Sequence, residues 1–390
     1  MLTFRTAGES HGQALLTLVE GLPAHLVIDF EFIDNELKRR QGGFGRGGRM
    51  KIERDQIQLL SGVRHGRTLG SPIAMLIENK DWVNWSDIMS VRESLEESTG
   101  KRRLTRPRPG HTDLAGSLKF DHVDARNVLE RSSARETAAR VAAGALAKTF
   151  LKAFDVEILS HTTSIGEVRL PDDLSVDWKQ LEAIRDDDVV RCVIPELAAK
   201  MVDEIQRAQR DGDTIGGTFE VVARGVPTGL GSHTGWDTRL DGRLAQAIMS
   251  VNAVKAVEIG QGVRIASRRG SLAHDEIGYN DRERRFYRLT NRAGGIEGGI
   301  SNGEEIRAVG YLKPIPTLKK ALQSVDMITK EPFLAQHERS DTCTVPAAGV
   351  IGESMVALVL AGAVLEKFGG DSMNETLRNY HGYLEQLRNF

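Results

Sequence analysis

Residues 345–365 constrain this chain more than any other stretch. They form its most apolar run, interrupted by Glu353 and by five Gly and Ala positions ahead of Leu360. A helix that is apolar on every side must be covered on every side, by lipid or by protein. A membrane span asks for about twenty residues with few or no charges. The internal carboxylate and the small residues point instead to a buried helix that its neighbours approach closely. The helix is expected over about 349–368, stopped by Gly369-Gly370. A second long helix is expected over 133–154, where Ser133-Ala134-Arg135-Glu136 reads as a capping box ahead of an Ala-rich run.

Two buried helices need sheets to cover them. Strand-like segments rich in β-branched residues fall at 15–20, 26–30, 50–53, 57–63 and 72–78, and again at 156–159, 165–169 and 218–223. Helices are expected near 196–210 and 243–256, an extended stretch at 257–267, and loop over 267–302. The strands come as meanders rather than in regular strand–helix alternation. The expected class is therefore α+β, with antiparallel sheets around buried helices. No Ser/Pro-rich linker divides residues 1–390, so one domain is expected. Each half offers strands, a long apolar helix and more strands. That is the order an internal duplication would give, although self-similarity is too weak to establish one.

Net charge is −2 and aromatics make up 5% of the chain, which speaks against a nucleic-acid or membrane partner. Cys192 and Cys343 stand far apart, in no metal-ligand or disulfide spacing. No metal site is expected. The start shows no basic region followed by an apolar run, so a cytoplasmic protein is expected.

The basic residues are unevenly placed. KRRQGGFGRGGRMK, residues 38–51, carries six basic and no acidic side chains; KRRLTRPR, residues 101–108, carries five more and runs into Pro109-Gly110-His111. Arginine outnumbers lysine in both, as suits forked hydrogen bonds to phosphate or carboxylate. Interleaved glycines let backbone N–H groups approach a ligand. Arg131 and Arg135 flank Ser132-Ser133 at an expected helix start, itself an anion site. The chemistry should therefore involve a compact polyanion. Nucleic acid is the rival polyanion, but the single GRGGR stands between strand-like segments. Burying so many like charges unpaired is costly, so an empty site is expected to be wet. His11 and His111 both lie in Gly-containing loops, and His111 adjoins the second arginine run. Arginines would oppose its protonation and an arriving polyanion would favour it, making it a proton donor when substrate is bound. His337-Glu338-Arg339-Ser340-Asp341-Thr342 places another carboxylate beside an arginine, ahead of the apolar helix. No Walker loop, G-x-G-x-x-G or H-E-x-x-H is present.

GESHG (8–12), GRGGRM (45–50), SGV..G.TLGSPIA (61–74), RPRPGH.D (106–113), RSSARETAARVAAGA (131–145), GGIEGGISNG (294–303), KPIPT (313–317) and RSD (339–341), in that order, resemble the chorismate synthase family. The resemblance runs from residue 7 to about 365. It implies a β–α–β sandwich, usually assembled as a homotetramer. The implied reaction is anti-1,4 elimination of phosphate from 5-enolpyruvylshikimate-3-phosphate, giving chorismate, with reduced FMN required but not net consumed. Carried over position by position, Ser132, Ser133, Asn252, Ala253, Gly298, Lys313, Pro314, Ile315, Pro316, Thr317 and Arg339 resemble flavin-contacting residues, with Arg131 beside them. Ser10, Arg40, Arg46, Arg49, Arg108 and Arg135 resemble the substrate's partners. His11 and His111 would be proton donors, and Asp341 would help take a proton from the flavin N5 region. Phe44 stands where the family often has Tyr, and Thr112 where Ala is frequent. The long insertions of family members that reduce their own flavin with NADPH are missing, so an external flavin reductase is implied. A conventional flavin oxidoreductase remains the alternative, without a nicotinamide fingerprint to support it.

Overall fold

The structure, a computed structural model, describes residues 1–47, 54–92, 103–172, 174–335 and 341–390. Strands β1 (Thr3–Ala7), β2 (Ala14–Glu20), β3 (Gln58–Leu59) and β4 (Ile73–Glu78) form an antiparallel sheet in the order β1-β2-β4-β3. A second antiparallel sheet takes β5 (Glu157–Ile165), β6 (Val168–Arg169), β7 (Gly217–Arg224), β8 (Val254–Ile259) and β9 (Ile306–Leu312) in the order β8-β9-β7-β5-β6. The helices that matter here are α1 (Phe30–Gln41), α2 (Asp113–Phe120), α3 (Arg126–Ser132), α4 (Thr137–Lys152), α5 (Pro195–Arg210), α6 (Leu240–Met249), α7 (Val345–Phe368) and α8 (Met373–Arg388).

β2 and β4 alternate strictly, and their register sets Leu15 against Ile77, Thr17 against Met75 and Val19 against Ile73, all buried. That single inward face lies on α4, to which Thr17 Oγ1 donates a hydrogen bond at the Ala139 carbonyl, 2.9 Å away. α7 lies on β5 and β7 of the second sheet, and α4 and α7 lie on each other. The small residues explain how. A Cβ on Gly144 of α4 would come 2.2 Å from Ser354 Cβ of α7, and one on Gly352 would come 2.6 Å from the Phe219 ring of β7. α7 is long and apolar enough to cross a membrane by length and composition, but it is buried within the protein. Its internal charge, Glu353, is fully buried and held by Arg39 at 2.9 Å, Lys148 at 2.5 Å and Ser160 Oγ at 2.6 Å. One contiguous apolar core runs from Leu15 to Tyr380. Cys192 and Cys343 are both buried free thiols.

Several local expectations are corrected. Residues 26–30 make only an isolated bridge at Val27, and the chain enters α1, because Asp29 Oδ1 accepts from Phe32 N–H at 2.9 Å and caps the helix. Ser133 does cap a helix start, but over a short 3₁₀ turn, accepting from Arg135 N–H at 3.3 Å. The box stays open because Glu136 accepts from Thr6 Oγ1 at 2.6 Å and from Arg140 at 2.9 Å. Residues 57–63 split into β3 and a small hairpin, Val63–Arg64 with Arg67–Thr68. The helix expected over 243–256 stops at Met249 so that β8 can pair with β9, and the extended stretch after it turns helical at Gly262–Ala266. The supposed loop over 267–302 holds two hairpins, Ile277–Asn280 with Arg285–Arg288 and Ile296–Glu297 with Ile300–Ser301. β1, β9 and α8 had no counterpart in the sequence reading, and the strand expected at 50–53 lies outside the described residues.

Candidate active site

The GESHG turn after β1 docks onto α3. Ser10 N–H donates to the Glu130 carbonyl at 2.9 Å, and His11 N–H to the Glu130 carboxylate at 2.8 Å. The same carboxylate lies 3.0 Å from His11 Nδ1 and 3.0 Å from Arg126. The His11 ring stacks on Trp85 with centroids 3.8 Å apart. Burial would raise the Glu130 carboxyl; the hydrogen bonds from His11 and the charge of Arg126 outweigh it and hold the group below its ordinary range.

The second histidine repeats the device. His111 Nδ1 lies 2.6 Å from Asp113 Oδ1, and Arg108 grips the same carboxylate at 2.8 and 3.0 Å. Although burial opposes it, His111 and Arg108 drive the Asp113 carboxyl far below the usual range. The sequence placed an arginine run beside His111; the fold gives His111 and Arg108 one shared buried carboxylate, and His11 and Arg126 another. Arg108 also donates to Thr317 Oγ1 at 2.8 Å, and Lys313 Nζ donates to the Gly110 carbonyl. The RPRPGH loop is thus docked on the KPIPT loop.

Between these lies a cluster of arginines. Arg135, at the 3₁₀ turn, donates to Asp55 at 2.6 and 2.7 Å and to Asn79 Oδ1 at 2.9 Å. Arg40, at the end of α1, donates to Thr137 Oγ1 at 3.1 Å and reaches Asp55 at 3.5 Å. Arg46 pairs with Asp341 at 2.8 Å, and Asp341 also accepts from Gly47 N–H at 2.6 Å. Burial pushes Arg40 down to about 9; Asp55 opposes this, while Arg135 and Arg46 add to it. Among the described residues, these three guanidinium groups share two carboxylates, Asp55 and Asp341. Arg40, Arg46, Arg108 and Arg135 each have a carboxylate partner, as the cost of burying unpaired charge requires.

The remaining residues join the same network in part. Ser10 Oγ donates to Ser133 Oγ at 3.0 Å. Asn252 Nδ2 donates to the Ser132 carbonyl at 3.1 Å, and Lys313 N–H to the Ala253 carbonyl at 3.0 Å. Ala253 takes a left-handed φ of 69° to turn that carbonyl toward Lys313. Pro314, Ile315 and Pro316 complete the loop, and the Ile315 carbonyl accepts from Thr214 Oγ1 at 2.7 Å. Arg131 donates to the Thr6 and Gly8 carbonyls at 2.9 and 3.1 Å, which ties it to β1. Gly298 stands apart on the Ile296–Ser301 hairpin, where a Cβ would meet nothing within 4 Å. Arg49 and Arg339 lie outside the described residues.

Sequence reasoning missed Asp55, Asn79, Trp85, Arg126 and Glu130. Arg126 and Glu130 had a signal in their i,i+4 spacing. Asp55 had none.

Against known proteins, residues 2–365 match the family described as chorismate synthase. The chorismate synthase of Solibacter usitatus (strain Ellin6076) is 55% identical over 392 residues, covering all of both chains. That of Desulforudis audaxviator (strain MP104C) is 56% identical over 390 residues, covering 100% of this chain and 98% of its own. A crystal structure of chorismate synthase, 40% identical, superposes with a TM-score of 0.80 over 100% of this chain and 99% of that one. The chain belongs to the chorismate synthase family.

Proposed function

We infer how this chorismate-forming lyase of the shikimate pathway uses its site: Arg40, Arg46, Arg108 and Arg135 bind 5-enolpyruvylshikimate-3-phosphate and orient it for anti-1,4 loss of phosphate. The observation that carries the reading is the clustering around Asp55, where, among the described residues, the buried Arg40 and Arg135 share one carboxylate. A substrate with one phosphate and two carboxylates supplies further anionic partners for them. Charge-assisted bonds of about 1.5–3 kcal/mol each suffice to hold it. Arg49 is the further substrate contact implied by the family motifs.

His11 and His111 each have Nδ1 on a buried carboxylate, which fixes the orientation of the ring. We assign one to protonating the departing phosphate and the other to holding a proton at the flavin face, in each case through Nε2. Asp341, already beside Arg46, would receive the proton lost from the ring region. Ser10 positions His11 through the Glu130 carbonyl.

The cofactor is reduced FMN. Ser132 and Ser133 hydroxyls, the Asn252 amide, the Ala253 backbone and the Lys313 ammonium form a donor set that suits a flavin and its phosphate, with Pro314 to Thr317 as one wall. Gly298, Arg131 and Arg339 are the further flavin contacts implied by the family motifs. When bound, reduced FMN would supply electron density to the elimination, with no net oxidation. A separate flavin reductase, rather than NADPH oxidation by this chain, would keep it reduced. We further read residues 1–390 as one domain, a β–α–β sandwich formed by the two sheets over α4 and α7. An internal duplication is supported by each sheet having its own long buried helix. The working form would be a cytoplasmic homotetramer.

The test is anaerobic. Protein, 5-enolpyruvylshikimate-3-phosphate and chemically reduced FMN are mixed, and chorismate absorbance and phosphate are followed. Equal amounts of both, many times the flavin present, are expected. Stoichiometric flavin oxidation would reveal an oxidoreductase instead.

A further inference from the structure

A second concentration of charge lies away from this site. α1 carries Arg40 toward Asp55, but the preceding residue, Arg39, turns the other way into a cavity of about 310 Å³. The cavity is bounded by α1, the end of α4, the start of β5 and the helix Trp178–Glu182. Its walls are apolar, with Phe32, Ile158, Leu159, Trp178, Leu181 and Ile184, and its floor is ionic, with Glu36, Arg39, Lys148 and Arg191.

The floor is unevenly bonded. Arg39, Lys148 and Arg191 face Glu36, the deeper Glu353 and, at the exposed edge, Asp186. Glu353 is already occupied by Arg39, Lys148 and Ser160. Arg191 reaches it only at 3.7 Å. Among the described residues, the Arg191 side chain makes one hydrogen bond, from Nη2 to the Ser160 carbonyl at 3.3 Å, and its Nε finds no partner. Arg191 is nonetheless only 6% exposed and sits at a left-handed φ of 55°, held there by Asp188, which accepts from its N–H at 2.7 Å. A buried, under-compensated guanidinium against apolar walls is expensive unless an anion completes it. The other charges nearby do not supply one. At the rim Glu157 and Glu182 are both taken by Arg224, at 2.5 and 3.0 Å, Lys152 adds a cation, and Asp186 at the exposed edge lies 3.4 Å from Arg39.

We propose that this cavity is a second binding site, for a small aromatic monocarboxylate, with its carboxylate on Arg191 and its ring between Trp178 and Leu181. One under-bonded guanidinium, with carboxylates already around it, selects a singly charged carboxylate over a phosphate dianion, and the apolar walls select a hydrophobic body. The Trp178 indole N–H is tied to Glu182 at 2.6 Å, which fixes the ring that the ligand would meet.

Calorimetric titration of the full-length protein with 3-phenylpropanoate tests this. Saturable binding of one ligand per chain is expected, with 3-phenylpropan-1-ol and the Arg191→Gln variant each at least about tenfold weaker. Because Arg191 is buried, Ile184→Trp provides a second variant that fills the cavity from its half-buried wall and should abolish binding. Arg135→Lys, in the other site, should leave it unchanged. No saturation up to about 10 mM, where even a millimolar Kd would show, would overturn the proposal. Equal binding of the alcohol would do the same, as would binding that survives Ile184→Trp or is lost only in Arg135→Lys. None of these outcomes bears on chorismate formation, which is followed separately.

Discussion

Replacing Asp55 by Asn probes the arginine cluster with almost no change in shape. The Asp55 side chain is fully buried, touches Arg135 at 2.6 and 2.7 Å, and stands 3.5 Å from Arg40. Removing its charge leaves two buried guanidinium groups facing each other. Breaking a buried pair in this way costs about 3–5 kcal/mol. Unfolding entropy of about 2.1 cal/mol/K per residue gives about 0.8 kcal/mol/K for a chain of this length. The expected drop in Tm is therefore about 4–6 °C, read by scanning calorimetry in a buffer without multivalent anions. Adding phosphate should recover part of the loss and should stabilise the variant more than the parent, since the anion takes over what the carboxylate did. A Tm within about 1 °C of the parent would show that Asp55 does not hold these arginines, because even 1 kcal/mol corresponds to that shift. Full destabilisation with no extra response to phosphate would show that Arg40 and Arg135 do not form an anion site.

His111→Ala and His11→Ala should each lower phosphate release by about 10²–10⁴-fold while flavin binding persists; an unchanged rate in either removes that residue from the proton-transfer scheme. Arg108→Lys breaks the fork to Asp113 and the bond to Thr317, so KM should rise more than kcat falls, and steady-state kinetics separate the two. Asp113, Glu130 and Glu353 all have carboxyls held low in the folded protein. Their contribution is complete above the unfolded carboxyl values near 4 and is lost as pH falls below that toward the folded values. Urea midpoints should therefore hold between pH 7 and 5 and fall from pH 4 to 3; a main loss above pH 5 would point to other groups. Glu353→Gln should cost about 3–5 kcal/mol, since it strands Arg39 and Lys148 inside the core, and an unaltered midpoint would contradict the buried-network account.

Much of this protein could be read from residue order alone. The apolar run that becomes α7 read as a buried helix rather than a membrane span, because a carboxylate and small residues interrupt it; the partners of that carboxylate, Arg39 and Lys148, did not show. The arginine runs announced a polyanion, and the ordered motifs pointed to the family. Periodicity and composition act over a few residues, so they reach that far. What escaped was set by partners distant in the chain. Asp29 could turn 26–30 into a helix start, Glu136 could be drawn from its box by Thr6, and β9 had to lie between β7 and β8 and pair with both, none of which local sequence records. Asp55, 80 residues from Arg135, and Glu130, 119 from His11, decide the charge state of the site. Electrostatic pairing depends on distance in space, which only the folded chain fixes.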